Sequence, residues 1–340
     1  VAEEAVAYRA LALQTECRAV NQLSADGARA SIRESIERIG QQVRSSIAFI
    51  GPDVRLVVLP EYVLTGFPLG DPVPVWADKA GLAPDGPEYD ALAAIAQATR
   101  IWLATNAYET DEHFPGLYFQ SCCIFGPTGE VVLRYRRLHS MFSPTPYDVW
   151  DRYLEQYGLD AVFPVAQTEI GALAAIASEE ILYPELARVL ALRGAEVFVH
   201  SSSEATSPQQ LPKAIARRAR AIENIACIVS ANTAGITGTP IPSASTDGGS
   251  QLVDHTGAVL AEAGPGESMV ANAEIDVAAL RRARRRPGMG NLLARVKTGL
   301  WASEYERFDV ERRNGLLDVA PERSYFAAAH QAAIDRLNAT

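Results

Sequence analysis

Four short apolar runs in this chain each end in polar residues, and that repeated design limits the fold more than any other feature. They are VRLVVLPEY, reaching Glu61; GALAAIASEE, reaching Ser178; AEVFVHSSSE, reaching Ser201 to Glu204; and ACIVSANTAG, reaching Asn232. Aliphatic and β-branched runs of this length, bounded by turn residues, read as buried strands. In layered α/β proteins the carboxyl ends of such strands are where ligands bind. Between them lie patterns of helical period over Ala28 to Ser46, Tyr89 to Thr99, Pro184 to Arg193 and Leu211 to Ile225. Around Ser178 the reading is most detailed: a strand over Leu173 to Ala177, a helix opening at Pro184, a left-handed cap at Gly194, and a strand over Glu196 to His200. Ser178 lies too far before Pro184 to cap that helix. The segment SEEILY therefore displays polar side chains beside an apolar strand.

Strands and helices alternate, with two exceptions. Tyr118 to Leu138 reads as a hairpin turning at Gly126 to Gly129, and Gly248 to Gly264 repeats the design around His255 to Gly257. A mixed sheet covered by helices fits this pattern better than a purely parallel one. After Gly288 the pattern loses its regularity, and Trp301, Tyr305 and Phe308 stand among charges. This divides the chain into a main domain, residues 1–288, and a tail, residues 289–340, expected to pack on the domain or on a second subunit.

Composition narrows the function. The 340 residues are 48% hydrophobic, enough for one large core, and the formal net charge of -10 argues against nucleic acid as a partner. RRARRRPG, Arg281 to Gly288, is a local basic exception, read as a solvated helix end or a subunit contact. The four cysteines form no disulfide framework and read as buried thiols. No zinc spacing or phosphate-binding glycine loop is present, so no metal or nucleotide cofactor is expected. With no apolar run long enough to span a bilayer and no leader pattern, the expectation is a cytoplasmic protein without a membrane partner.

Three stretches carry candidate chemistry. Glu61 sits at a strand end among apolar neighbours, where a carboxylate loses solvation and suits a general base; the bland alternative is a glutamate paired with an arginine. In LRYRRLHSMF, alternation puts Tyr135 and Arg137 on one face and Arg134 and Arg136 on the other, so at least one arginine must point inward. His139 reads as a structural hydrogen-bonding histidine. Glu179 and Glu180 follow Ser178, and pairing with Arg217 or Arg220 is their bland reading. Tyr147, Trp150, Tyr153 and Tyr157 form a packed helix face or line a pocket mouth.

Taken together, these segments resemble the nitrilase superfamily of carbon-nitrogen hydrolases. VVLPEYVLTGFP looks like the family's glutamate motif, GEVVLRYRRLH like its lysine motif, and GALAAIASEEILYPELARVLALRGAEV like its nucleophile motif. RRARAIENIACIVSANTAG and GGSQLVDHTGAVLAEAGPGESMVANAEID match its later strands. The resemblance implies an α+β fold, a four-layer α-β-β-α sandwich, assembled into homodimers or larger homo-oligomers. It also implies a triad in which Glu61 is the base, position 137 the cation and position 178 the nucleophile, with the backbone N–H of Glu179 as oxyanion donor. The implied reaction is hydrolysis of a small linear amide or N-carbamoyl compound, with a nitrile less favoured because Y-P-E follows the nucleophile.

Two positions depart from the family. Arg137 replaces lysine, keeping the positive charge with a bulkier group that does not release its proton. Ser178 replaces cysteine. Serine is a far weaker acid, and a lone carboxylate is a poor base for it. Losing the nucleophile of a cooperating triad costs about four to six orders of magnitude in rate, ~5 to 8 kcal/mol. The chain is thus expected to be inactive or impaired as it stands, whether the serine is an isosteric replacement in an active enzyme or the mark of a diverged small-molecule binder or scaffold. The family's second glutamate has no clear equivalent among Asp148, Asp151 and Glu155.

Overall fold

The computed structural model describes residues 7–204, 212–308, 310–317 and 319–338. Two mixed sheets face each other. In the first, Tyr8–Ala12, Val54–Val58 and Trp102–Thr110 run parallel, and the antiparallel hairpin of Tyr118–Phe125 and Val131–Arg136 extends one side. Asn272–Ile275 closes the other side, antiparallel to Tyr8–Ala12. The second sheet has Gly171–Ala177, Val197–Ser201 and Cys227–Ala231 parallel, flanked by the antiparallel hairpin of Gln251–Val253 and Val259–Glu262. Both hairpins expected from their glycine turns are present, with Gly129 at φ 93° and Gly257 at φ 83°.

The central strands are apolar without alternation because both faces are covered. Leu56 and Val58 point to the opposite sheet, into a core with Tyr135, Ala175 and Phe198. Val57 and Leu59 point the other way, into a second core with Ile32, Ile36 and Ile39 of the helix Ala25–Ile50. That helix and Pro87–Thr99 cover the first sheet, while Pro184–Leu192 and Pro212–Asn224 cover the second. The layers are therefore α-β-β-α. Pro184 opens its helix and Gly194 follows it at φ 105°, as expected. Leu211, the first residue of the helix expected from 211 to 225, lies outside the described residues.

Two readings change. The region after Gly288 contains regular structure, the helices Thr298–Tyr305 and Arg323–Asn338. Trp301, Tyr305 and Phe308 are more than half exposed; Leu316 and Phe326 instead enter the second core, and the N–H of Leu316 donates to the carbonyl of Asp148. Nor is the arginine run uniformly solvated. Arg281 forms a two-pronged bond with Glu196 at 2.7 and 2.9 Å, and Arg284 donates to the carbonyls of Ile225 and Asn224. These two arginines latch the helix Val277–Arg285 to the second sheet and to the end of Pro212–Asn224. The four cysteines are buried and unpaired, as expected.

Removing a large ring from between the layers should cost far more than removing one from the tail surface. Phe198→Ala is expected to destabilise by ~3 to 5 kcal/mol, whereas Trp301→Ala should change stability by less than about 0.5 kcal/mol. Denaturant midpoints of the two variants check this.

Candidate functional site

Strand parity builds the site. On Val131–Arg136 and the residue after it, Arg134 and Arg136 reach across Tyr118–Phe125 to Glu109 of Trp102–Thr110, at 2.8 and 3.5 Å. Burial alone would push the Glu109 carboxyl up, but Arg134, Arg136 and the hydroxyls of Tyr89 and Ser121 outweigh it and hold the group below its usual range. This face is structural. On the other face, Tyr135 donates to Glu180 at 2.7 Å and Arg137 reaches Glu61 at 3.1 Å. The inward arginine required by alternation is Arg137.

Glu61 has no exposed surface. Its Oε1 accepts from Arg137 and from Gln120 Nε2 at 2.8 Å, and its Oε2 accepts from the backbone N–H of Ser203 at 3.1 Å. Gln120, within Tyr118–Phe125, also accepts from Arg137 at 2.6 Å, so it joins the strand-end residues Glu61 and Arg137 in one buried polar cluster. Burial works against the Arg137 charge, yet Tyr62, Glu61 and Glu179 around it raise its pKa further, so it is a permanent cation. Arg137 also pairs with the carboxylate of Glu179.

Ser178 begins a 3-10 turn, Ser178–Leu182, with φ at 51°, a left-handed conformation uncommon outside glycine. Such backbone costs ~1 to 3 kcal/mol and persists where the surroundings impose it. Two buried residues do so. Nε2 of His200 lies 2.9 Å from the Ser178 carbonyl, and Nδ1 lies 2.8 Å from Ser230 Oγ. A carbonyl only accepts, so Nε2 carries the proton, and the neutral ring takes one from Ser230 at Nδ1. Glu180 accepts from Tyr135 and from the backbone N–H groups of Leu138 and His139 at 2.8 and 3.0 Å, fastening the turn to the end of the arginine strand. The pairing of Glu179 and Glu180 with Arg217 or Arg220 does not occur. Arg217 donates to the carbonyl of Gly249, and Arg220 pairs with Glu223.

A cavity of about 490 Å³ lies outside this cluster, with Tyr62, Arg137, His139 and Glu179 among its lining residues. Its far side comes from the tail: Glu311, Arg323, Phe326 and His330. His139 is structural as expected, 3.2 Å from Glu180 and stacked on Tyr183. Tyr147 lines the cavity, whereas Tyr153 and Tyr157 pack against Phe114 on a helix face. Asp148 and Glu311 also line it, and burial pushes both carboxyls up.

The sequence reading missed Gln120, Glu311 and, above all, Lys213. Nζ of Lys213 donates to Ser178 Oγ at 3.2 Å. Lys213 belongs to the first turn of Pro212–Asn224, is 8% exposed, and lies 3.7 Å from Glu204. A lysine in a helix of many basic residues gives no signal in the sequence; only its burial does.

His200 makes stability depend on pH. Burial first, then the Arg217 charge, hold its pKa well below the ordinary imidazole value of about 6.5. The unfolded chain therefore binds the proton first as pH falls. Stability from this group is present above about pH 6.5 and is lost below it, by up to about 1.4 kcal/mol per pH unit until the folded ring itself protonates. Denaturant titrations of His200→Asn from pH 7 to pH 5 should show a correspondingly shallower loss than the parent.

Comparison with known proteins bears on the fold and the family. The chain is 28% identical over 241 residues to a formamidase of Pseudomonas syringae pv. syringae, an alignment covering 71% of this chain and 65% of that protein. It thus spans just under two thirds of that relative's length. Among solved structures, a carbon-nitrogen hydrolase from Helicobacter pylori G27 superposes with a TM-score of 0.70 at 22% identity, covering 90% of this chain and all of that one. Saccharomyces cerevisiae Nit3, a member of branch 10 of the nitrilase superfamily, gives 0.64 at 21% identity, covering 83% and 96%. These likenesses establish the nitrilase fold. The family model for carbon-nitrogen hydrolases matches residues 17–285, most of the chain, and the protein therefore belongs to the carbon-nitrogen hydrolase family.

Proposed function

We propose that this chain hydrolyses the C–N bond of a small linear amide or N-carbamoyl compound through an acyl intermediate on Ser178. The observation that carries this reading is the buried Glu61–Arg137 pair, 3.1 Å apart, with Arg137 and Glu179 facing a cavity. A buried ion pair contributes little net stability, because desolvation offsets the attraction. Its value lies in holding a cation and a carboxylate where charge changes hands. In this scheme Arg137 and the backbone N–H of Glu179 face the oxygen that becomes negative when the amide carbon is attacked. Glu61 is the base that takes the proton of the hydrolytic water.

An amide fits better than a nitrile, since several relatives of this chain are formamidases. The substrate is larger than formamide. A cavity of about 490 Å³ lies within the usual range for small-molecule sites and would hold a one-carbon amide loosely. Phe67, Phe142 and Phe326 offer apolar walls for an acyl chain, with Asp148 and Glu311 as acceptors at the tail side.

The test is ammonia release from short primary amides, N-carbamoyl amino acids and nitriles. The parent should turn over one of the first two classes slowly, and Ser178→Cys should be faster, since the thiol ionises more readily than the hydroxyl. Glu61→Gln should lower kcat by ~10² to 10⁴ in either form. Silence of both parent and Ser178→Cys across the panel would replace this reading with a non-catalytic small-molecule binder or scaffold.

A further inference from the structure

The weakest point of a serine at position 178 is its proton, and the structure supplies a group for it. Both oxygens of Glu61 already accept hydrogen bonds from Arg137, Gln120 and the N–H of Ser203. Ser178 Oγ instead meets Lys213 Nζ at 3.2 Å, in a place where the serine is 4% and the lysine 8% exposed. A primary amine is a stronger base than a carboxylate by about six pH units on reference values, which matters for a hydroxyl far more than for a thiol. Departures from the family at positions 178 and 137 thus go with a third feature: a buried lysine beside the hydroxyl, where Arg137 cannot serve as a proton carrier.

The geometry points to Lys213 as the catalytic base for Ser178, making the two a serine–lysine dyad within the nitrilase fold. This rests on the acyl-transfer reading for its substrate. Once it has lost a proton to the medium, the Lys213 amine turns from donor to acceptor and takes the Oγ proton as the Oγ–C bond forms at the amide carbon. The resulting ammonium, with Glu204 Oε2 at 3.7 Å, passes that proton to the leaving nitrogen as the C–N bond breaks. The products are the Ser178 ester and free ammonia or amine. Water then adds to the ester carbon as Glu61 takes its proton, and the C–Oγ bond breaks as that proton is passed on to Oγ, freeing the carboxylic acid and restoring the serine and the carboxylate. His200 fixes the Ser178 carbonyl, and with it the left-handed backbone from which Oγ projects.

A small sulfonyl fluoride tests the dyad without depending on the amide. Methanesulfonyl fluoride forms an O–S bond and releases fluoride, so intact mass and peptide mapping report the rate at Ser178. The parent should label there and Ser178→Ala should not. Lys213→Met should slow labelling more than 100-fold, and so should Lys213→Arg, which keeps the cation but accepts no proton. Near-ultraviolet circular dichroism should show both variants folded. No labelling of the parent, or a rate within threefold of it in either folded variant, would overturn the assignment. In the Ser178→Cys background, Lys213→Met should lower labelling less than tenfold, because the thiol needs no strong base; an equal loss in both backgrounds would show a structural role and also overturn it. If sulfonylation requires Lys213 while no amide is cleaved by either nucleophile, the substrate reading fails and the dyad stands.

Discussion

The burial of Glu61 against Arg137 is the constraint on which the site depends. Neither charge can leave water without the other, and neither is satisfied by one partner alone. Gln120 and the backbone of Ser203 complete the carboxylate, and Glu179 completes the guanidinium. These groups come from both sheets, so the two sheets must pack in one relative register for the cluster to close. The polar cluster therefore orients the layers, while the apolar cores on either side supply the driving force.

The arginine strand shows how one short sequence serves two purposes. Its odd and even positions point to opposite faces. One face anchors the hairpin through Glu109; the other places Tyr135 and Arg137 toward Glu180 and Glu61. A slip of one residue would exchange the structural and functional sets, and the antiparallel pairing of Ser121 with Arg136 prevents it. Glu180 then carries the placement across the sandwich, since it holds the end of this strand and the turn bearing Ser178 at once. The tail closes the arrangement by forming the outer wall of the cavity.

Much of this was legible in the chain itself. Apolar runs ending in polar residues revealed the strands, glycine turns revealed both hairpins, and Pro184 with Gly194 bounded a helix, because these signals are local steric and solvation preferences. Alternation alone required an inward arginine. The ordered motifs placed Glu61, Arg137 and Ser178 in one family pattern, since each motif is a strand end with its own neighbours.

What only the tertiary structure decided is which charges meet. Glu179 and Glu180 chose Arg137 and the backbone of the arginine strand over Arg217 and Arg220, and Lys213 reached Ser178 from 35 positions away. Nothing local distinguishes a lysine bound for solvent from one about to be buried. Its role arises from the packing of the Pro212–Asn224 helix on the 3-10 turn, and packing of elements distant in sequence is set by the shape of the whole core.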